Sequence, residues 1–260
     1  MKALVVVYNK PLSQSKTIHS LSGAHGIEVY IADNSTVDCG NREFASARGY
    51  HYFDMGGNAG LSRAYNRVIS ALEKDDGLIC LFDDDTTIDK AYFDVLKKDA
   101  SAYKHIDIFA PVVKDKKGIL SPCIFNGIRG KRVKRLENIQ RRGVSAINSG
   151  LAIRLRVFRN YRYDEGLFLD YVDHAFIRDV ADNDGSKIHI LNISLKQSFS
   201  GSESVSKEDI LNRYRTFKKD LLYFCRKYGV SIVRCRLFLL ARRVHIMIKV
   251  LYKTIRGKHD

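Results

Sequence analysis

Asp83, Asp84 and Asp85 stand in a row at the end of an apolar run, in the stretch LICLFDDDTTID from Leu78 to Asp89. Adjacent like charges repel, so three carboxylates there require a partner. A hard divalent cation such as Mg²⁺ or Mn²⁺ is one candidate, because it takes oxygen ligands and commonly bridges phosphate oxygens to one or two carboxylates. In extended backbone, residues two apart point to the same side. Asp83 and Asp85 are therefore expected to share a face, with Asp84 pointing away and available for a structural role. The competing reading is a turn ahead of a helix, since DDTTIDKAYF carries capping residues.

Other polar clusters could serve the same chemistry. Asp33 and Asn34, closing IEVYIADNS, could hydrogen-bond a base or ribose, or simply form an Asx-turn. GGNAGLSRAYN could set a glycine-rich turn and a helix start against a pyrophosphate. It is neither a Walker A loop nor the G-x-G-x-x-G fingerprint. Within it, Arg63 could neutralise a phosphate or be a solvated helix arginine. Asp170 and Asp173 lie three apart at a predicted helix start, so both can face one cleft. Acids are also favoured there by the helix dipole alone.

These residues need a scaffold, and the hydrophobic pattern supplies one. KALVVVYN, IEVYIADNS, YHYFDMGGN and GLICLFDDD read as four strands, with helices predicted over PLSQSKTIHSLSG and over residues 59–74. The alternation implies βαβ units, a mostly parallel sheet and an α/β fold. Ligands of such sheets sit beyond the carboxyl ends of the strands. The polar endings Tyr8-Asn9, Asp33-Asn34-Ser35, Gly56-Gly57-Asn58 and Asp83-Asp84-Asp85 should then converge on one rim. Further on, IDIFAPVV predicts a fifth strand, and the basic stretch 125–143 a mobile loop. YDEGLFLDYVDHAFIRDVADND predicts a turn and then a helix buried along Val172, Phe176 and Val180, and two helices, about 207–228 and 231–256, close the chain.

Of 260 residues, 45% are hydrophobic and 28% charged, which marks a globular chain. The net charge of +15 implies an anionic partner. It is concentrated between Arg213 and Lys258, where 14 Lys or Arg accompany a single acid, Asp220. Val233, Leu237, Leu240, Val244, Met247, Ile248, Leu251 and Ile255 form one stripe on the last helix, opposite Arg242, His245, Lys249, Lys253 and Arg256. Such a helix suits a membrane interface, or packing on the body with its basic face solvated. Five scattered cysteines, with no C-x-x-C, indicate neither a zinc site nor a disulfide framework and fit a reducing cytoplasm. The first residues do not read as a signal peptide, and no apolar run is long enough to span a bilayer.

VVVYN, IADNS, GGNAGLSRAYNRVI, LFDDD, INSGLAIR and YDEGLFLDYVDHAF occur in an order similar to family 2 glycosyltransferases, in particular bacterial rhamnosyltransferase-like members. The resemblance covers about residues 3–200. It implies a GT-A fold, a Rossmann-like nucleotide-diphosphosugar transferase domain over 1–205, followed by a basic amphipathic helical tail over 206–260. It places Tyr8 and Asn9 by the nucleobase and Asp33 at the base edge. Asn58, Gly60, Arg63 and Asn66 would lie near the donor, and Ser149 and Gly150 would line the sugar and acceptor. Asp83 would face ribose or metal, Asp85 would ligate Mg²⁺ or Mn²⁺, and Asp173 would be the base, with Asp170 its rival.

Three departures stand out: an acid, Asp84, in the middle of the acidic motif; Gln197 where a histidine often stands; and Asp179 where an arginine is common. The implied activity is inverting transfer from a UDP- or dTDP-type sugar to a glycan or lipid-linked acceptor in bacterial surface polysaccharide (O-antigen or capsule) synthesis. The protein would be cytoplasmic and peripheral at the inner face of the cell membrane. A nucleotidyltransferase also needs carboxylates and a metal, but YNKPLSQSK lacks the expected glycine density. A basic RNA-binding protein is disfavoured, since no RNA-binding signature or aromatic–basic sheet face is present, and no nucleic-acid partner is expected.

Overall fold

A computed structural model describes residues 1–138, 143–184, 188–197 and 206–256. The chain begins β1 (Lys2–Val7), α1 (Lys16–Leu21), β2 (Glu28–Asp33), α2 (Asn41–Ser46), β3 (His51–Asp54), α3 (Leu61–Ala71) and β4 (Leu78–Asp83). It continues through β5 (Thr86–Thr87), α4 (Tyr92–Ala102), β6 (Ile108–Asp115), β7 (Gly118–Ser121), β8 (Cys123–Phe125), β9 (Gly130–Lys131), β10 (Val144–Ser145) and β11 (Leu151–Arg154). Then follow α5 (Val172–Asp184), β12 (Ile188–Gln197), α6 (Lys207–Lys227) and α7 (Ile232–Arg256).

Nine of the strands form one sheet in the order β3-β2-β1-β4-β11-β6-β12-β5, with β7 added to β6. The first four strands are mutually parallel, as the sequence pattern implies. The carboxyl ends align in register, Val7 beside Asp33, Asp33 beside Asp54, and Val6 beside Asp83. β11 inserts antiparallel between β4 and β6, a pairing that its sequence does not announce.

Strand residues alternate between two cores, as the pleat requires. On one face Leu4, Leu81 and Ile153 pack with α3, α5, α6 and α7. On the other, Ala3, Val5 and Phe82 pack with α1 and α4. Val172, Phe176 and Val180 are buried as predicted.

Two findings differ from the sequence reading, and a third gives the direction of a helix face that it left open. The stretch 125–143 does not behave as a loop throughout: β8 carries β9 and β10 on its two sides in a small antiparallel sheet, with residues 139–142 outside the described part. Cys225 and Cys235 form a disulfide joining α6 to α7, ten residues apart, so the scattered spacing concealed a pair brought together by a helical hairpin. Val233, Leu237, Leu240, Val244, Met247 and Ile248 of the α7 stripe face outward, while Cys235 and Leu239, on the opposite side, meet the body; the side chains of Leu251 and Ile255 lie outside the described part. The boundary at 205–206 falls at the edge of residues outside the described part, but α6 beyond it buries Phe217, Leu221 and Phe224 in the core shared with α3 and α5.

Candidate active site

The acidic turn is held from below by α1. Ser15 and Thr17, both fully buried, donate from their hydroxyls to the carbonyls of Asp84 (2.8 Å) and Asp83 (2.5 Å). Thr17 also accepts from the N–H of Thr86 at 3.1 Å. With its backbone fixed, the triplet splits as expected, although Asp84 and Asp85 lie in a turn beyond β4 and not in the extended strand assumed. Asp84 turns to Lys10, 2.7 Å away. Asp83 and Asp85 share the other side, where the Gln197 amide donates to Asp83 at 2.9 Å and reaches Asp85 at 3.5 Å.

Burial, reinforced by the charges of Asp85, Asp84 and Asp173, pushes the Asp83 carboxyl up to about 7. The Gln197 carbonyl oxygen is buried and has no hydrogen-bond partner. Two crowded carboxylates beside an orphaned amide oxygen form a set of hard oxygen donors suited to Mg²⁺ or Mn²⁺. Substrate oxygens would have to complete the shell, because no group of three His, Cys, Asp or Glu poised for a metal occurs among the described residues.

Around the rim, Tyr8 is 51% exposed and leaves its ring open for stacking. Asn9 adopts φ +48° and accepts from the Thr36 N–H at 2.7 Å. Asp33 is buried and already hydrogen-bonded, accepting from the Ser35 N–H, the Asn41 amide and the Tyr52 hydroxyl, each at 2.9 Å. It ties β2 to α2 and β3, and a base edge would have to share its remaining lone pairs. Asn58 is exposed on the glycine turn before α3.

Gly60, Ser62 and Asn66 face another target, the segment 163–170. The Asn66 amide donates to the Tyr163 carbonyl (2.9 Å) and to Glu165 (3.0 Å), while its oxygen accepts from the Tyr163 N–H (2.9 Å). Ser62 donates to the Leu167 carbonyl at 2.7 Å. Gly60 has φ +88°, and a Cβ there would meet the Phe168 ring at 2.6 Å. The first N–H of α3, from Leu61, is taken by the Phe168 carbonyl at 2.6 Å, so it is not offered to a pyrophosphate. Arg63 is exposed and pairs with Glu165 at 3.4 Å. The motif thus clamps a loop from one side.

α6 clamps it from the other. Asp220 is 0% exposed and accepts from the N–H groups of Phe168 (3.0 Å), Leu169 (2.8 Å) and Asp170 (2.8 Å). Burial raises its carboxyl above the ordinary range, against the pull of those donors. Arg213 holds Asp170 through both terminal guanidinium nitrogens, at 2.5 and 2.7 Å. Asp220→Ala strands three N–H donors at a buried site and should cost roughly 1–3 kcal/mol. The midpoint of denaturant unfolding measures that loss.

The clamped segment ends in Tyr171, whose φ of +67° is rare for a side-chain-bearing residue, and α5 begins at once. Asp173, in the first turn, is left facing a cleft of about 270 Å³. The cleft walls include Arg129 of the small sheet's loop, His174, and Phe238 and Arg242 of α7. His174 stacks on Phe125 at 4.0 Å and hydrogen-bonds Ser145 at 2.6 Å. Asp173 also lies within electrostatic reach of Asp83.

The structure therefore brings Asp83, Asp85 and Gln197 together, with Asp173 within electrostatic reach of Asp83, while Asp170, which lines the same cleft as Asp173, is paired with Arg213. Ser149 and Gly150 lie beneath the rim. Ser149 is 1% exposed and shares a hydrogen bond with Thr86. At Gly150, with φ +81°, a Cβ would meet Leu195 at 2.4 Å. Their neighbour Asn148, buried with an unpartnered amide oxygen, is a functional candidate that the sequence reading passed over, as are His174 and Arg242.

The fold is shared with several solved bacterial enzymes. Staphylococcus aureus TarS 1–349 in complex with UDP-GlcNAc superposes with a TM-score of 0.54 at 15% identity, covering 92% of this chain and 70% of that one. Mycobacterium tuberculosis glucosyl-3-phosphoglycerate synthase, solved with Mn²⁺, UDP and phosphoglyceric acid, gives 0.55 at 14% identity, covering 86% and 78%. Mannosyl-3-phosphoglycerate synthase from Rubrobacter xylanophilus gives 0.56 at 14% identity, covering 88% and 75%. No curated protein matches the chain by sequence. The family model for glycosyl transferase family 2 matches residues 3–160, well over half of the chain, and the protein belongs to that family.

Proposed function

We propose that the protein is a metal-dependent inverting transferase. It moves a sugar from a UDP- or dTDP-type donor to a lipid-linked glycan during bacterial surface polysaccharide assembly, at the inner face of the cell membrane. The observation that carries the reading is a buried set of oxygen donors at the end of β4 with a further carboxylate, Asp173, within electrostatic reach of it. Asp83, Asp85 and the orphaned Gln197 oxygen make up the set. Asp173 faces its own cleft, just after a loop fastened from both flanks.

In this arrangement Tyr8 and Asn9 receive the base at the end of β1. Asp83, Asp85 and Gln197 would hold Mg²⁺ or Mn²⁺, which when bound would offset the charge that develops on the leaving diphosphate. Asp173 accepts the proton of the acceptor hydroxyl as that oxygen attacks the anomeric carbon from the face opposite the departing diphosphate. Arg129 and Arg242 give the acceptor side a positive wall. UDP, UDP-GlcNAc and Mn²⁺ in the structural relatives support the donor and metal classes. The outward stripe of α7 supports peripheral attachment, and no described helix is long and apolar enough to cross a membrane.

A panel of UDP, dTDP and GDP sugars tests the reading. One donor should raise the melting temperature only with Mn²⁺ or Mg²⁺ present and release nucleoside diphosphate on turnover. Pyrophosphate release from a nucleoside triphosphate would instead identify nucleotidyl transfer.

A further inference from the structure

α7 presents two unlike faces. Toward the body it buries Cys235 and Leu239, and Arg242 lies over the Phe217 ring at 3.6 Å. Toward solvent it shows Val233, Leu237, Leu240, Val244, Met247 and Ile248, each 49–63% exposed. Beside this stripe, α6 and α7 enclose a groove of about 680 Å³. Leu222 and Leu240 contribute apolar wall, and Lys218, Arg226, Arg236 and Arg243 bring four positive charges. The groove lining contains no acid.

Several arginines elsewhere on the surface are neutralised. Arg42, Arg132, Arg156 and Arg159 each pair with an aspartate. Among the described residues none of the four groove cations is ion-paired. Four like charges around one concavity repel, and an anion in their midst relieves that repulsion. Guanidinium groups match phosphate oxygens in particular. A soluble anion would satisfy the charges but leave the stripe in water. An amphiphilic anion satisfies both, because Leu240 belongs to the groove and to the stripe.

We propose that the α6–α7 groove binds the phosphate-bearing headgroup of an anionic membrane lipid, with the α7 stripe entering the interface beside it. Arginine and lysine stems lie along apolar surface while their charged ends reach the headgroup layer. The inner side of the same helix carries Phe238 and Arg242 into the cleft of Asp173, so docking would orient that cleft to the bilayer. The proposal deepens the peripheral-membrane part of the reading above and is independent of the transfer chemistry.

The test is sedimentation of the full chain with phosphatidylcholine vesicles, with and without phosphatidylglycerol. Wild type should bind the anionic vesicles far better, and less tightly as salt rises. Arg236→Glu/Arg243→Glu should weaken binding at least thirty-fold, roughly what the loss of two surface cations implies. Lys97→Glu/Lys98→Glu, on α4 across the sheet, makes the same change of net charge and should weaken it only a few-fold. Arg236→Gln/Arg243→Gln provides the same comparison with a smaller perturbation should the reversal impair folding. Equal losses in the groove and α4 variants would overturn the headgroup site while leaving peripheral attachment intact. Equal binding to neutral vesicles would do the same. Absence of binding to either vesicle would overturn both, with donor turnover left as the separate measure of the transferase reading.

Discussion

Asp173→Asn should lower transfer turnover by about 10²–10⁴-fold, the range associated with removing a general base. The substitution keeps the shape of the side chain and removes its capacity to take a proton. Little else should change. The hydrogen bond the structure gives this carboxylate comes from the adjacent N–H of His174, at 2.7 Å, and an asparagine oxygen can accept it. The melting temperature and donor-induced stabilisation should therefore stay near those of wild type.

Asp170→Asn makes the informative contrast. Its carboxylate is occupied by Arg213, and the change leaves that guanidinium short of a counter-charge beside Asp220. Stability should suffer more than in Asp173→Asn, and turnover less. Full activity in the Asp173 variant would remove the base assignment; a reversed order of the two variants would exchange their roles.

The parallel half of the fold was legible because buried parallel strands write themselves as short β-branched runs with polar ends. The rim followed from that geometry. What could not be read was which motif residues face the substrate. Asn66 and Gly60 sit in a glycine-rich stretch that looks suited to phosphate, yet their partners lie about a hundred residues further on. No local pattern encodes a loop clamped between α3 and α6.

Asp220 shows the same limit from the other side. As the lone acid in a basic stretch it carries no local signal of a role, and only burial beneath three N–H donors reveals why a carboxylate is there. The amphipathic stripe of α7 was visible in the sequence, but its direction was not. Periodicity defines a face, and only tertiary contact decides whether that face turns in or out. The disulfide failed to register for a related reason, since ten residues of separation become neighbours only across a helical hairpin.

Removal of divalent metal should abolish turnover, and the metal's affinity should depend steeply on pH. The cause is Asp83, whose carboxyl titrates near 7 in the fold against 3.8 ordinarily. Between these values the folded, metal-free protein binds a proton that the unfolded chain does not. That contribution to stability is fully present below about 4 and is lost as pH rises through 7. A cation must displace this proton, so its apparent affinity should rise by up to ten-fold per pH unit below about 7 and level off above it. Thermal melts with and without Mn²⁺ across pH 5–9 measure both effects, and Asp83→Asn should flatten the apparent-affinity curve. Asp85→Asn should remove most metal-induced stabilisation and most turnover, because it deletes a ligand charge beside Asp83. Asp84→Ala should do far less, since it breaks a contact with Lys10 on the other side of the turn. Turnover unchanged in EDTA would remove the metal from the mechanism. An Asp84 variant more damaged than Asp85→Asn would instead mean that the Lys10 side of the turn, and not the Gln197 side, faces the donor.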